Sequence, residues 1–141
     1  MWLYENVELL EVPNDMIGFV YQITNLVNGR RYIGKKNFFF SKTKQVKGKK
    51  KRTKVESDWK SYYGSNQSLI DDVKKFGTEN FKREILRLCK SKAEFSYFEA
   101  KYQFDEDVLF REDFYNEWIM VRVHKKHLKK IKKELENNCI I

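Results

Sequence analysis

Prolines, cysteines and histidines are scarce in this chain: one Pro, two Cys and two His among 141 residues. Cys89 and Cys139 lie far apart, so no disulfide framework is expected, and no zinc-type ligand spacing exists. That usage fits a reducing, cytoplasmic compartment. No run of about 18 apolar residues is present, which excludes a membrane-spanning helix. Met1 to Leu10 carries glutamates and no basic segment, so it does not read as a secretory signal. A glycine-rich phosphate loop is missing, and no internal repeat is visible.

Aromatic and basic residues are what the chain has in quantity. Apolar side chains make up 41% and aromatics 16%, enough for a packed globule, and the length suits one core rather than two. The formal charge of +9 is concentrated in two places. Lys42 to Lys54 holds eight basic residues and no acid, and His124 to Lys133 holds six lysines and no acid; elsewhere acids outnumber bases. Such blocks suit a polyanion, because each lysine beside a phosphate releases condensed counterion. A solvated face or an anionic membrane also accommodates one lysine run. Two runs together favour nucleic acid.

Ile17-Gly-Phe-Val-Tyr-Gln-Ile23 alternates and is rich in β-formers, which predicts a strand with Ile17, Phe19, Tyr21 and Ile23 on one face. Asn28-Gly29 supplies left-handed turn residues, and Arg31-Tyr-Ile-Gly34 begins the return strand of an antiparallel hairpin. Trp2 to Val12 predicts a further strand, ended by Pro13. Residues 37–56 read as a long basic loop rooted by Phe38, Phe39 and Phe40. Ser57 starts a short helix towards Gly64. Ser68-Leu-Ile-Asp71 is a capping box for a helix that closes at Phe76-Gly77, and Phe81 to Leu88 is a third strand. A second capping box, Ser91-Lys-Ala-Glu94, precedes a helix whose Phe95, Phe98 and Tyr102 share one face. Glu99 falls inside that aromatic stripe, an unusual place for a carboxylate. Trp118 to Val123 reads as an edge strand and Lys125 to Leu135 as a basic helix. The expected fold is α+β. Residues 1–123 form one domain, a small antiparallel sheet flanked by helices with a basic inserted loop; residues 124–141 add a basic C-terminal helix or tail.

Tyr21-Gln-Ile-Thr-Asn25, then Asn28-Gly29 and Tyr32-Ile-Gly34, resembles the opening hairpin of GIY-YIG nucleases. The two tyrosines are eleven positions apart. Glu99 and Asn116 stand in the right order for the acidic helix residue and the later asparagine of that family. The resemblance spans roughly 17–123, and Tyr32-Ile-Gly-Lys-Lys36, Asp58 to Ser65 and Tyr115-Asn116 are similar to a phage-encoded branch of small homing-endonuclease-like members. Gly18 stands one position early in the first triplet. No arginine occupies the family's helical position; Lys60 is the first substitute, with Lys36 and Arg52 behind it.

The resemblance implies hydrolysis of a phosphodiester bond in DNA, with RNA as a second allowed substrate and Mg²⁺ or Mn²⁺ as cofactor. Glu99 would be the metal ligand. One carboxylate is enough for magnesium, which keeps several waters. Tyr21 would be the general base, helped by Tyr32, although a phenol near pKa 10 needs a nearby cation to lose its proton. Without the resemblance, the two tyrosines are simply a cross-strand pair that steadies the hairpin. Lys60 would neutralise phosphoryl charge. Asn116 would hold a phosphate or the end of the Glu99 helix, or is merely a turn residue. Lys35, Lys36, Lys47, Lys49, Lys50, Lys51, Arg52 and Lys54 would track the nucleic-acid backbone without reading sequence. His124 and His127 read as surface residues. A phage protein of this kind would act in the host cytoplasm, away from membranes, alone or as a homo-oligomer. Two readings compete: a nucleic-acid-binding module on the same fold that has lost catalysis, and an interaction protein docking an acidic partner.

Overall fold

The computed structural model describes residues 1–129, 132 and 133. Trp2 to Val12 folds not as one strand but as a tight hairpin, β1 (Trp2–Tyr4) and β2 (Val7–Glu8). Glu5 and Asn6 both take positive φ, 51° and 66°, which gives the two-residue turn that twisted strands favour. β3 (Gly18–Asn25) and β4 (Arg31–Asn37) form the expected antiparallel hairpin. The basic stretch is not a loop. β5 (Phe39–Val46) and β6 (Lys49–Glu56) pair antiparallel as a separate two-stranded sheet. Lys47 and Gly48, with φ of 52° and 76°, close its turn, a signal that the surrounding lysines hid. Of the three phenylalanines at its root, Phe38 is buried, whereas Phe39 and Phe40 are exposed.

β7 (Phe81–Cys89) completes a main sheet of order β2-β1-β7-β3-β4. β1 runs parallel to β7, so this sheet is mixed rather than antiparallel as expected. A bulge between β3 and β7 sets Val20 against Arg87 but Tyr21 against Ile85. The extra residue reverses the alternation of β7. Phe81 and Ile85 therefore share one core with Leu88, while Leu86 and Cys89 join the other. The sulfur of Cys89 is buried, which pushes its thiol up to about 12; such a group is inert.

Helices cover both faces. α1 (Gln67–Phe76) begins two residues before the expected box, because Asn66 rather than Ser68 caps it. The Asn66 side chain accepts from the Leu69 amide at 3.0 Å and donates to the Tyr115 carbonyl at 3.0 Å, its amide oxygen and nitrogen serving two segments at once. Leu69, Trp59, Phe38 and Tyr115 pack with Trp2, Phe19, Tyr21 and Ile23 on this face. The expected helix after Ser57 is only a 3-10 turn, Trp59–Ser61. α2 (Lys92–Asp105) covers the second face with Phe95 and Phe98 against Val20 and Ile33. Ser91 caps it as predicted, accepting from the Glu94 amide at 3.2 Å; Glu94 reaches back to the Lys90 amide at 3.1 Å.

Trp118 to Val123 forms no strand; Trp118 and Met120 stay largely exposed while Ile119 between them packs on the second core. The segment before it follows β4 instead. The Arg31 amide donates to Asp113 O at 2.8 Å and the Tyr115 amide to Arg31 O at 2.7 Å. Lys125–Leu128 is a 3-10 turn, and residues 129, 132 and 133 are helical. The remainder of the predicted basic helix, with Cys139 and the last residues, lies outside the described residues.

Candidate active site

Strand alternation decides what β4 offers on each side. Tyr32, Gly34 and Lys36 face the α1 side, and Ile33 and Lys35 face α2. Tyr21 on β3 stands opposite Gly34 in register. A Cβ at position 34 would lie 2.6 Å from the Tyr21 hydroxyl and 2.8 Å from the Tyr32 ring, so the glycine is what lets the two phenols approach. Their ring centroids are 6.1 Å apart, and Tyr62 meets Tyr21 edge-on at 6.0 Å. Tyr21 is 1% exposed, and burial holds its hydroxyl well above its ordinary pKa; Tyr62, Tyr32 and Glu99 push in the same direction. Burial raises Tyr32 too, opposed by its hydrogen bond to Ser65.

Glu99 comes from α2, on the far side of β4. It meets Tyr32 around that strand, in a cleft of about 160 Å³ that Gln103, Asn116, Trp118 and Met120 also line. Burial raises the Glu99 carboxyl above its ordinary value, and Lys35, whose Nζ stands 3.9 Å away, opposes the rise. Lys35 is held there by the Ser96 hydroxyl at 3.2 Å.

The backbone of Ile33 occupies the polar groups of Asn116. Its amide donates to Asn116 Oδ1 at 3.1 Å, and Asn116 Nδ2 donates to Ile33 O at 2.8 Å. The side chain thus fixes β4 rather than capping a helix. Gln103 Nε2 donates to the same carbonyl at 3.0 Å. Asn116→Ala would strand a buried amide, and a loss of about 2–3 kcal/mol is expected in chemical denaturation. A loss below about 0.5 kcal/mol would show that the pairing is dispensable.

Gln103 also carries a buried oxygen, Oε1, without a hydrogen-bond partner. It lies one helical turn beyond Glu99 and lines the same cleft. An orphaned acceptor near a single half-buried carboxylate suits a cation that brings its own waters, with Glu99 as its protein ligand. No group of three or more His, Cys, Asp or Glu side chains suited to a metal occurs among the described residues, so this donor set fits Mg²⁺ or Mn²⁺ rather than zinc.

Lys60 is not in this cleft. Its ammonium lies 5.7 Å from the Trp59 ring centre, and the residue lines a separate hollow with Met1, Trp2 and Glu8. The structure brings Lys36 to the tyrosines instead. Lys36 Nζ is 4.1 Å from the Tyr62 ring centre and 2.6 Å from Asp58, with its side chain 11% exposed. The contact holds the Asp58 carboxyl below its usual range. Lys47, Lys49, Lys50, Lys51, Arg52 and Lys54 are exposed on the β5–β6 ribbon. Gln103 escaped sequence reasoning because its signal, an unpaired buried atom, exists only in three dimensions.

The family described as "Putative endonuclease segE, GIY-YIG domain" matches residues 2–119. The chain belongs to the GIY-YIG family. Two proteins of Enterobacteria phage T4 are similar to it. "Putative endonuclease segE" is 33% identical over 94 residues, 67% of this chain and 35% of that protein. "Putative endonuclease segD" is 35% identical over 97 residues, 69% of this chain and 35% of that protein. The chain therefore spans about a third of the length of these curated relatives. No solved structure matches it.

The GIY-YIG cleft has a measurable signature in stability. Because Glu99 is raised when folded, the unfolded chain gives up this proton first. The resulting destabilisation is absent below the ordinary value of 4.5, grows as pH rises through the folded value, and is complete above it. Glu99→Gln should therefore melt higher than wild type at neutral pH and equal it at about pH 4. Identical melting curves at both pH values would mean that the carboxylate is well solvated.

Proposed function

We propose that this GIY-YIG domain is a metal-dependent endonuclease that hydrolyses phosphodiester bonds in DNA. The observation that carries the proposal is one cleft in which Tyr32, Glu99 and Gln103 meet, with Lys35 3.9 Å from Glu99 and Tyr21 behind Gly34.

In this reading Glu99 would hold the cation, with Gln103 one helical turn away in the same cleft. When bound, that cation neutralises charge on the phosphoryl group and on the departing oxygen. Tyr21, in its ionised phenolate form, takes the proton of the attacking water as the new P–O bond forms; the bond to the leaving oxygen breaks, and that oxygen takes a proton from solvent. A buried phenol is a poor base alone. Lys36 supplies positive charge beside Tyr62, the ring that meets Tyr21 edge-on, and Tyr32 would hydrogen-bond the water. Lys35, Lys36 and the ribbon cations meet the phosphate chain. Arg122, Lys126, His124 and His127 border a hollow of about 510 Å³ with Lys92 and Ser96 at the start of α2. Ser96 also holds Lys35, so this second basic zone adjoins the cleft.

No helix among the described residues is long and apolar enough to cross a membrane, and the phage relatives suggest the host cytoplasm as the place of action. The test is supercoiled plasmid with pure protein in Mg²⁺, in Mn²⁺ and in EDTA. Nicked or linear product in metal alone supports the reading. Intact plasmid in all three, with salt-sensitive binding, would establish the alternative of a binding module without catalysis. The depth at which Tyr21 is buried is the observation that favours that alternative.

A further inference from the structure

The β5–β6 ribbon is an expensive structure with no internal reason to exist. Two isolated strands are marginal in water, and like charges facing each other across strands weaken them further. Here eight pairs, from Phe39↔Glu56 to Val46↔Lys49, run without a bulge through the most basic segment of the chain. Only Val55 on β6 is half-buried; Lys49 to Lys54 are exposed. Packing is confined to the root, where buried Phe38 meets Trp59 at 5.1 Å.

The register sorts the ribbon into two faces. Ser41, Thr43 and Gln45 pair with Lys54, Arg52 and Lys50, so one face presents three neutral hydrogen-bonding side chains beside three cations. Lys42, Thr53, Lys51 and Lys49 fall on the other. A surface meant only to neutralise phosphate would need no such neutral row. Hydroxyl, amide and guanidinium groups in one line are what base edges recognise, with Arg suited to a guanine pair of acceptors. Flanking lysines then meet the phosphates of the groove walls.

We infer that the ribbon inserts into the major groove of a B-form DNA duplex, with Ser41, Thr43, Gln45 and Arg52 towards the base edges. This rests on the nuclease reading for its substrate. The major groove, about 12 Å wide, admits a two-stranded ribbon without deformation, whereas the minor groove, about 6 Å wide, must first be widened or bent open. The arm also points from the right place: Lys36 Nζ lies 4.1 Å from the ring centre of Tyr62, which meets Tyr21 edge-on, and 4.9 Å from that of Phe40 at the ribbon root. At about 3.4 Å per residue, strands of this length reach roughly 27 Å. Bases contacted by the arm therefore lie within about one helical turn of the cleaved phosphate.

The test uses the full chain carrying Glu99→Ala, in EDTA, so that binding is read without cleavage. Its probes are a labelled DNA duplex and an RNA duplex of the same sequence, whose A-form major groove is too deep and narrow for side chains to read. DNA should bind at least about tenfold more tightly than the RNA duplex at equal salt. A variant with residues 40–55 replaced by a short glycine turn should lose that preference. The replacement is geometrically simple, since the Ser57 amide already donates to Phe38 O at 2.7 Å across the root. On the unaltered ribbon, methyl green, a major-groove ligand, should displace the protein and distamycin, a minor-groove ligand, should not. Equal affinity for the two duplexes, or displacement by distamycin alone, would overturn the inference while leaving the nuclease reading in place. Failure to bind either duplex would overturn both.

Discussion

Glu99→Ala is expected to abolish cleavage, by a factor of about 10³ or more, while DNA binding in EDTA changes little. The size follows from the donor set. Glu99 is the one carboxylate in the cleft, and the other lining polar groups are neutral. Removing it leaves the cation without a charged ligand, and the several kcal/mol of phosphoryl stabilisation it would supply disappears. Metal affinity gives a second readout that does not depend on turnover: Mn²⁺ titrated into wild type should report one site by electron paramagnetic resonance, and the variant should report none. Cleavage retained within about tenfold would remove Glu99 from the metal role.

The second large effect belongs to Tyr21. Tyr21→Phe is expected to reduce cleavage by about 10²–10⁴-fold, the range that loss of a positioned base produces. The ring keeps its packing against Trp2, Phe19 and Tyr62, so the melting temperature should barely move. The direction of its pKa sharpens the test. With the hydroxyl raised well above its ordinary value, the reactive phenolate is scarce at neutral pH and rises about tenfold per unit. The wild-type rate should therefore climb with pH across the neutral and mildly alkaline range, with a slope near one on logarithmic axes. Lys36→Gln, which withdraws a cation from beside Tyr62, should lower the rate at each pH without flattening the slope. A wild-type rate in the phenylalanine variant would remove the base assignment.

Much of this arrangement could be read from the residues, and the reasons differ by element. The β3–β4 hairpin was legible because Asn28-Gly29 sits between two alternating runs, a local signal sufficient to set register. Glu99 was legible because a carboxylate inside an aromatic stripe breaks the helical pattern. The parallel pairing of β1 with β7 was not, since residues about eighty positions apart meet through packing that no local pattern encodes. The ribbon was hidden by composition: lysine is a poor strand former, and Lys47 at a positive φ is an unusual turn residue. From the sequence alone Lys60 ranks ahead of Lys36 because it falls in the short helix expected after the basic insertion. The shorter 3-10 turn, tied down where Arg83 Nη1 donates to Lys60 O at 3.0 Å and Tyr62 O at 2.8 Å, turns it away. Asn116 had the right place in the order of the chain, but its hydrogen bonds could be assigned only once Ile33 was beside it.

The segment that follows β4 has a consequence for how these molecules crowd. An unpaired outer strand is a template on which another copy can add, and proteins guard against it. Here Asp113, Tyr115 and Asn116 already satisfy the outward amides and carbonyls of Arg31 and Ile33. At the opposite end, Val7–Glu8 is only two residues long. Both rims of the main sheet are thus blunted, so a protein gathered densely along a polyanion does not add copy to copy through this sheet.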